Sequence, residues 1–160
     1  MVRLVKGAYW DAEVKLSQVN GLDAYPVFTR KSSTDISYMA NAKKLLGMTD
    51  RIYPQFATHN AHSVATILEL AGSEDNYEFQ RLHGMGEALH RVVKEAHKGR
   101  CRIYAPVGIH EDLLAYLVRR LLENGANSSF VNQVLDEKVP AGEVVKDPVA
   151  YVLAQDTIPK

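Results

Sequence analysis

Strand-forming runs alternate with helix-forming runs four times along the 160 residues, and this alternation limits the fold more than any other feature. Residues 2–9, 51–57, 77–82 and 102–105 are short, strand-prone and largely apolar. After the first run comes an extended piece at 25–29, then a helix from Thr34 or Asp35 to Leu46 that Gly47 stops. The other runs lead into a helix ending near Gly72, a helix from Glu87 to about His97, and a helix over 113–123. Strands separated by helices predict βαβ units and a parallel sheet of the α/β class, with strands side by side in chain order and helices outside. Four such units are half of an eight-stranded barrel, which takes about 250 residues. The chain opens inside a strand and turns irregular after Gly125, so a fragment is expected. Residues 1–138 would form the half barrel, and 139–160, with three prolines, an extension or linker. A half barrel should also expose two sheet edges and an apolar inner face, and so self-associate.

Composition acts by exclusion. Nineteen basic and nineteen acidic residues leave zero net charge, which argues against a nucleic-acid-binding surface. The single cysteine, Cys101, fits a reducing compartment. No apolar run approaches the roughly 20 residues that span a bilayer. A soluble, intracellular chain is expected.

In parallel α/β proteins ligands bind beyond the carboxyl ends of the strands. Those ends here are Lys6-Gly7-Ala8-Tyr9-Trp10, Thr58-His59-Asn60, Leu82-His83-Gly84 and Tyr104-Ala105-Pro106, rich in aromatic and hydrogen-bonding groups. Arg3 and Lys6 interrupt an apolar strand, where an unpaired charge costs several kcal/mol. They either serve a ligand or pair with acids elsewhere. On the last helix Tyr116, Arg119, Arg120 and Glu123 share one stripe. Paired guanidiniums beside a ring suit a small carboxylate, although a solvated charged face has the same pattern. Thr29-Arg30-Lys31 could hold an anion or be a solvated basic turn. Gly84-Met85-Gly86 fits a tight strand-to-helix turn better than a phosphate loop. His59 and His62 lack the further ligands a metal needs, and Asn60 or Ser63 reads as a helix cap.

Five segments taken together resemble one family. They are residues 3–11 (Arg-Leu-Val-Lys-Gly-Ala-Tyr-Trp-Asp), 53–60 (Tyr-Pro-Gln-Phe-Ala-Thr-His-Asn), 82–87 (Leu-His-Gly-Met-Gly-Glu), 103–108 (Ile-Tyr-Ala-Pro-Val-Gly) and 116–125. Their order and content are similar to the proline dehydrogenase domain of the bifunctional proline-utilisation flavoenzymes, from residue 2 to about residue 150. The resemblance implies the second half of a distorted (βα)8 barrel holding FAD, from its fifth strand to its eighth helix. It also implies oxidation of L-proline to 1-pyrroline-5-carboxylate, with electrons passed to a quinone at the membrane. A cytoplasmic protein, peripheral at the inner membrane face, is the expected setting. The tail would lead toward a pyrroline-5-carboxylate (aldehyde) dehydrogenase domain.

Carried over by position, the resemblance implies that Arg119 and Arg120 grip the proline carboxylate, while Tyr9, Tyr104 and Tyr116, with Ala8 and Leu82, wall the ring. Arg3 would sit near the reactive flavin nitrogen, a cation buried in a strand. Val5, Lys6, Gly7, Ala8, Trp10, Thr29, Arg30, Lys31, Thr58, His59 and Asn60 would contact FAD, and Glu123 would orient Arg120 or reach the cofactor. The family's first four strands supply a lysine and an acid absent from this chain, so the isolated chain is expected to be incomplete as an enzyme. The alternative is a non-catalytic α/β half-barrel module that binds a partner or ligand.

Overall fold

The computed structural model describes residues 1–125, 139–155 and 157, with the side chains of 121–125 and 141 outside the described set. Four strands form one sheet in the order β1-β2-β3-β4: β1 (Val2–Leu4), β2 (Pro54–Ala57), β3 (Glu78–Leu82) and β4 (Cys101–Tyr104). All three pairings are parallel, so every carboxyl end opens on one rim. Around them lie α1 (Trp10–Val19), α2 (Lys31–Leu46), α3 (Ala61–Ala71), α4 (Glu87–His97) and α5 (His110–Gly125). Two short helices follow, α6 (Ala141–Val144) and α7 (Pro148–Leu153). The parallel α/β expectation holds. Among the described residues no helix is long and apolar enough to cross a membrane.

The two faces of the sheet differ in kind. Phe56 and Phe79 point to the helices and pack with Tyr38, Ala42 and Leu46 of α2, Val64 and Ile67 of α3, and Val93 of α4. Each large side chain so buried stabilises the fold by about 1.5–3 kcal/mol. Because side chains alternate, the residues between them face the other way. The register puts Arg3 beside Gln55, Gln55 beside Glu78, Gln80 beside Arg102, and Leu82 beside Tyr104. Arg102 clasps Glu78 with Nε at 2.7 Å and Nη2 at 2.9 Å, and the side-chain amides of Gln55 and Gln80 donate to the same carboxylate. The inner face is therefore a hydrogen-bonded polar layer, which corrects the expectation of an apolar one.

The first unit departs most from expectation. The strand ends at Leu4 rather than continuing to residue 9, because Gly7 and Tyr9 turn through positive φ of 73° and 59°. Residues 10–19, assigned no element from the sequence, form α1, and residues 25–29 are irregular backbone with bends at 26, 27 and 29 rather than an extended piece. The indole of Trp10 donates to the Phe28 carbonyl at 2.9 Å and ties this loop down. Helix α2 starts three or four residues early, at Lys31, but ends at Leu46 as the Gly47 stop predicts.

Candidate active site

Two guanidinium–aromatic pairs lie on the elements that meet at the rim. Arg3 stacks on the Tyr104 ring, 4.8 Å from its centroid, on the polar face of the sheet. Arg120 stacks on Tyr116 at 5.3 Å, one turn apart on α5. Such contacts contribute about 0.5–1 kcal/mol at exposed sites, and they hold a planar cation in a fixed plane. Arg3 is exposed rather than buried, since β1 is short and pairs only with β2 in this sheet. The expected buried cation is therefore corrected: Arg3 is solvent-exposed and stacked on a ring.

Lys6, beyond the strand end, reaches α2 instead. Its ammonium sits 2.8 Å from Asp35 and donates to Ser63 Oγ at 2.7 Å, with the Tyr38 ring 5.4 Å away. Burial pulls Lys6 below its ordinary pKa although Asp35 opposes this. Burial pushes the Asp35 carboxyl up, but hydrogen bonds from Lys31 and Lys6 outweigh it and hold it below its usual range. These groups line a cavity of about 520 Å³ with Arg30, Ser32, Asn60 and residues of α6 and α7. Asn60 Oδ1 caps α3 by accepting from the Ser63 N–H at 3.0 Å, as its sequence position predicts.

His59 occupies the centre of the rim. The Leu82 N–H donates to its Nε2 at 3.0 Å, so that nitrogen is bare and the ring proton lies on Nδ1. Burial, with the nearby charges of His90, Arg120 and Arg81, lowers its pKa to about 4. The ring is neutral at physiological pH. His90, buried behind it, faces the Thr58 carbonyl at 2.9 Å through Nε2, which must therefore carry hydrogen. Thr58 also receives the Asn60 N–H on Oγ1. Gly86 seats the assembly: a Cβ there would stand 2.9 Å from His59 Cδ2.

The expected site residues thus fall into three groups. Lys6, Arg30, Lys31 and Asn60 share the cavity; Arg3, Leu82 and Tyr104 share the polar face; His59, Tyr116 and Arg120 lie close enough to interact. Val5, Gly7, Ala8, Tyr9, Trp10, Thr29 and Arg119 are exposed, with Tyr9 at 79%. The Glu123 side chain lies outside the described residues. Sequence reasoning missed Asp35 and Ser63 as partners of Lys6, and Gly86 and His90 as supports of His59. Only Asp35 left a signal, standing four residues after Lys31 on one helix.

A family model for proline dehydrogenase matches residues 1–133. The chain belongs to the proline dehydrogenase family. It is 61% identical over 160 residues to the bifunctional protein PutA of Escherichia coli (strain K12), covering 95% of this chain and 12% of that protein. Similarity extends to proline dehydrogenase 1 of Bacillus subtilis (strain 168), 31% identical over 135 residues, covering 81% of this chain and 39% of that protein. A crystal structure of Bradyrhizobium japonicum proline utilization A superposes with a TM-score of 0.89 at 58% identity, covering 99% of this chain and 17% of that one. Proline dehydrogenase sequence therefore fills most of the chain, while the chain spans 12% of the length of the PutA relative.

Proposed function

We propose that this chain is the second half of a distorted (βα)8 barrel, from its fifth strand to its eighth helix, in a protein that oxidises L-proline to 1-pyrroline-5-carboxylate with FAD. The observation that carries the reading is the convergence, on one rim of a proline dehydrogenase sheet, of two ring-stacked arginines and a cationic cavity. The donor set fits the cofactor. Lys6, Arg30 and Lys31 offer positive charge, α2 begins at the cavity without a side-chain cap, α3 begins there behind its Asn60 cap, and Ser32 Oγ is buried without a hydrogen-bond partner among the described residues. Those groups suit a diphosphate.

Bound FAD supplies hydride acceptance and onward electron transfer to a membrane quinone. The chain's own residues bind and orient. Arg119 and Arg120 grip the proline carboxylate, and Tyr9, Tyr104, Tyr116, Ala8 and Leu82 wall the ring. Arg3 keeps positive charge beside the flavin. Val5, Gly7, Trp10, Thr29, Thr58 and neutral His59 line the remainder, and Glu123 orients Arg120 or reaches the cofactor. A cytoplasmic protein at the inner membrane face, with a pyrroline-5-carboxylate dehydrogenase domain in the same polypeptide, completes the reading.

The test uses the full-length barrel carrying this sequence. Purified protein should show flavin absorption and reduce it with proline. Arg119→Met or Arg120→Met should raise the KM for proline by roughly ten- to a hundredfold, as one charge-assisted bond is lost, with flavin retained. Normal proline kinetics in both variants would remove the carboxylate clamp. Absence of flavin would favour the non-catalytic module.

A further inference from the structure

We propose that the segment from Glu143 to Tyr151 forms the outer wall of the cofactor's nucleotide pocket, with Tyr151 as the ring on which the purine base lies and Lys146 adding charge toward the phosphates. The inference rests on the reading of the cavity as part of the FAD site and extends it to a part of the chain with no role assigned so far.

The cavity has two unlike sides. Lys6, Arg30, Lys31 and Asn60 make one side cationic and rich in donors, whereas on the tail side Val144, Pro148 and Tyr151 add apolar and aromatic surface among the charged Glu143, Lys146 and Asp147. A nucleoside diphosphate has the same division, a charged diphosphate joined through a sugar to a flat apolar base. The volume of about 520 Å³ falls within the ordinary range for small-ligand sites.

The tail is held in place from both ends. Helix α7 packs along α2 as extensively as α3 does, and its first residue, Pro148, is buried. Asp147 caps it by accepting from the Val149 N–H at 2.9 Å. Beyond the helix, Arg30 Nη1 donates to the Thr157 carbonyl at 3.3 Å. Every carboxylate in the lining is already engaged: Asp35 with Lys6 and Lys31, Glu143 with Lys146, Asp147 with the helix cap. Arg30, bonded there to a carbonyl, keeps its charge for an anion. Tyr151 lines the same space yet is 55% exposed, and a half-exposed ring at the mouth of a cationic cavity is placed to receive a base.

The experiment compares FAD with FMN, which lacks the adenosine half, on the deflavinated full-length protein. Tyr151→Ala should weaken FAD by about 5- to 150-fold, the range for losing one base–aromatic stack, and leave FMN affinity unchanged. Tyr151→Phe should bind FAD as the parent does. Lys146→Ala, an exposed change that cannot unfold the chain by itself, should weaken FAD severalfold, more at low salt. Unchanged FAD affinity in Tyr151→Ala and Lys146→Ala, or equal loss of FMN, overturns the proposal. Arg30→Met and Lys31→Met separate the two levels of inference. If they weaken FAD while the tail variants do not, only the tail's role falls; if they also bind FAD normally, the cofactor reading of the cavity falls as well.

Discussion

Gly86 offers the sharpest test of how the rim is built, because replacing it with alanine has two separable costs. Its φ of +63° is left-handed, which costs a residue with a Cβ about 1–2 kcal/mol. The new Cβ would also stand 2.9 Å from His59 Cδ2, closer than such atoms approach. The ring would have to swing away and give up the bond at 3.0 Å from the Leu82 N–H, a net loss of about 0.5–1.5 kcal/mol. Gly86→Ala should therefore destabilise by about 1.5–3.5 kcal/mol in total. Gly84 is the internal control: its φ is +81°, but nothing lies within 4 Å of its Cβ position, so Gly84→Ala should cost only the backbone part. In a His59→Ala background the additional cost of Gly86→Ala should disappear, leaving a coupling of about 0.5–1.5 kcal/mol. Urea denaturation followed by circular dichroism gives all four values. If Gly86→Ala costs no more than Gly84→Ala, or the coupling is zero, Gly86 does not seat His59.

Two further predictions concern pH. Arg102 beside Glu78 holds its carboxyl down at about 2, so the stabilisation it gives is complete above the unfolded value of 4.5 and is lost as pH falls toward 2. Glu78→Gln should destabilise at neutral pH and flatten the stability profile between those limits; an unchanged acid limb would contradict the clasp. His59 has the opposite charge type, with its folded value depressed from 6.5 to about 4, so the unfolded chain binds the proton more readily. Stability should fall as pH drops from 6.5 to 4, and His59→Gln should remove that part of the slope. An imidazole resonance of His59 titrating above pH 6 would refute its burial.

The α/β alternation was legible because the helix-facing strand positions are strongly apolar: Phe56 follows Gln55, Phe79 stands between Glu78 and Gln80, and both are almost fully buried. The same runs also held the polar inner face. Gln55, Glu78, Gln80 and Arg102 fall on alternate positions, and a strict period-two reading would have assigned them a second, hydrogen-bonded face instead of one apolar run. Helix α1 was hidden because Trp10–Val19 mixes polar and apolar residues with little periodicity, and only Ser17 in it is buried. The end of β1 was misplaced because Val5 continues the apolar run, and a glycine at position 7 does not by itself say that φ is positive. Candidate site residues could be named one at a time, but not their partners, since Lys6 meets Ser63 across 57 residues and Leu82 meets His59 across 23.

That distance between partners bears on why the cations near α2 are there. Arg30 and Lys31 stand at the start of the helix, where the macrodipole disfavours each cation by about 0.3–1 kcal/mol, and Lys6 reaches Asp35 one turn further on. One carboxylate, Asp35, serves both Lys6 and Lys31 at 2.8 Å, and Lys6 is largely out of water. For stability alone, apolar residues of similar size at Lys6 and Asp35 would do as well or better, because a buried ion pair rarely repays its desolvation. The sheet does not need this cluster, whose core of Phe56, Phe79 and Ile67 closes without it. An arrangement that gathers positive charge at two helix starts, leaves it only partly neutralised and encloses it beneath α7 makes physical sense when an anion completes it. On the proposed reading, the stability withheld from the free chain would be returned on binding, and the cofactor would become part of what holds this end of the sheet together.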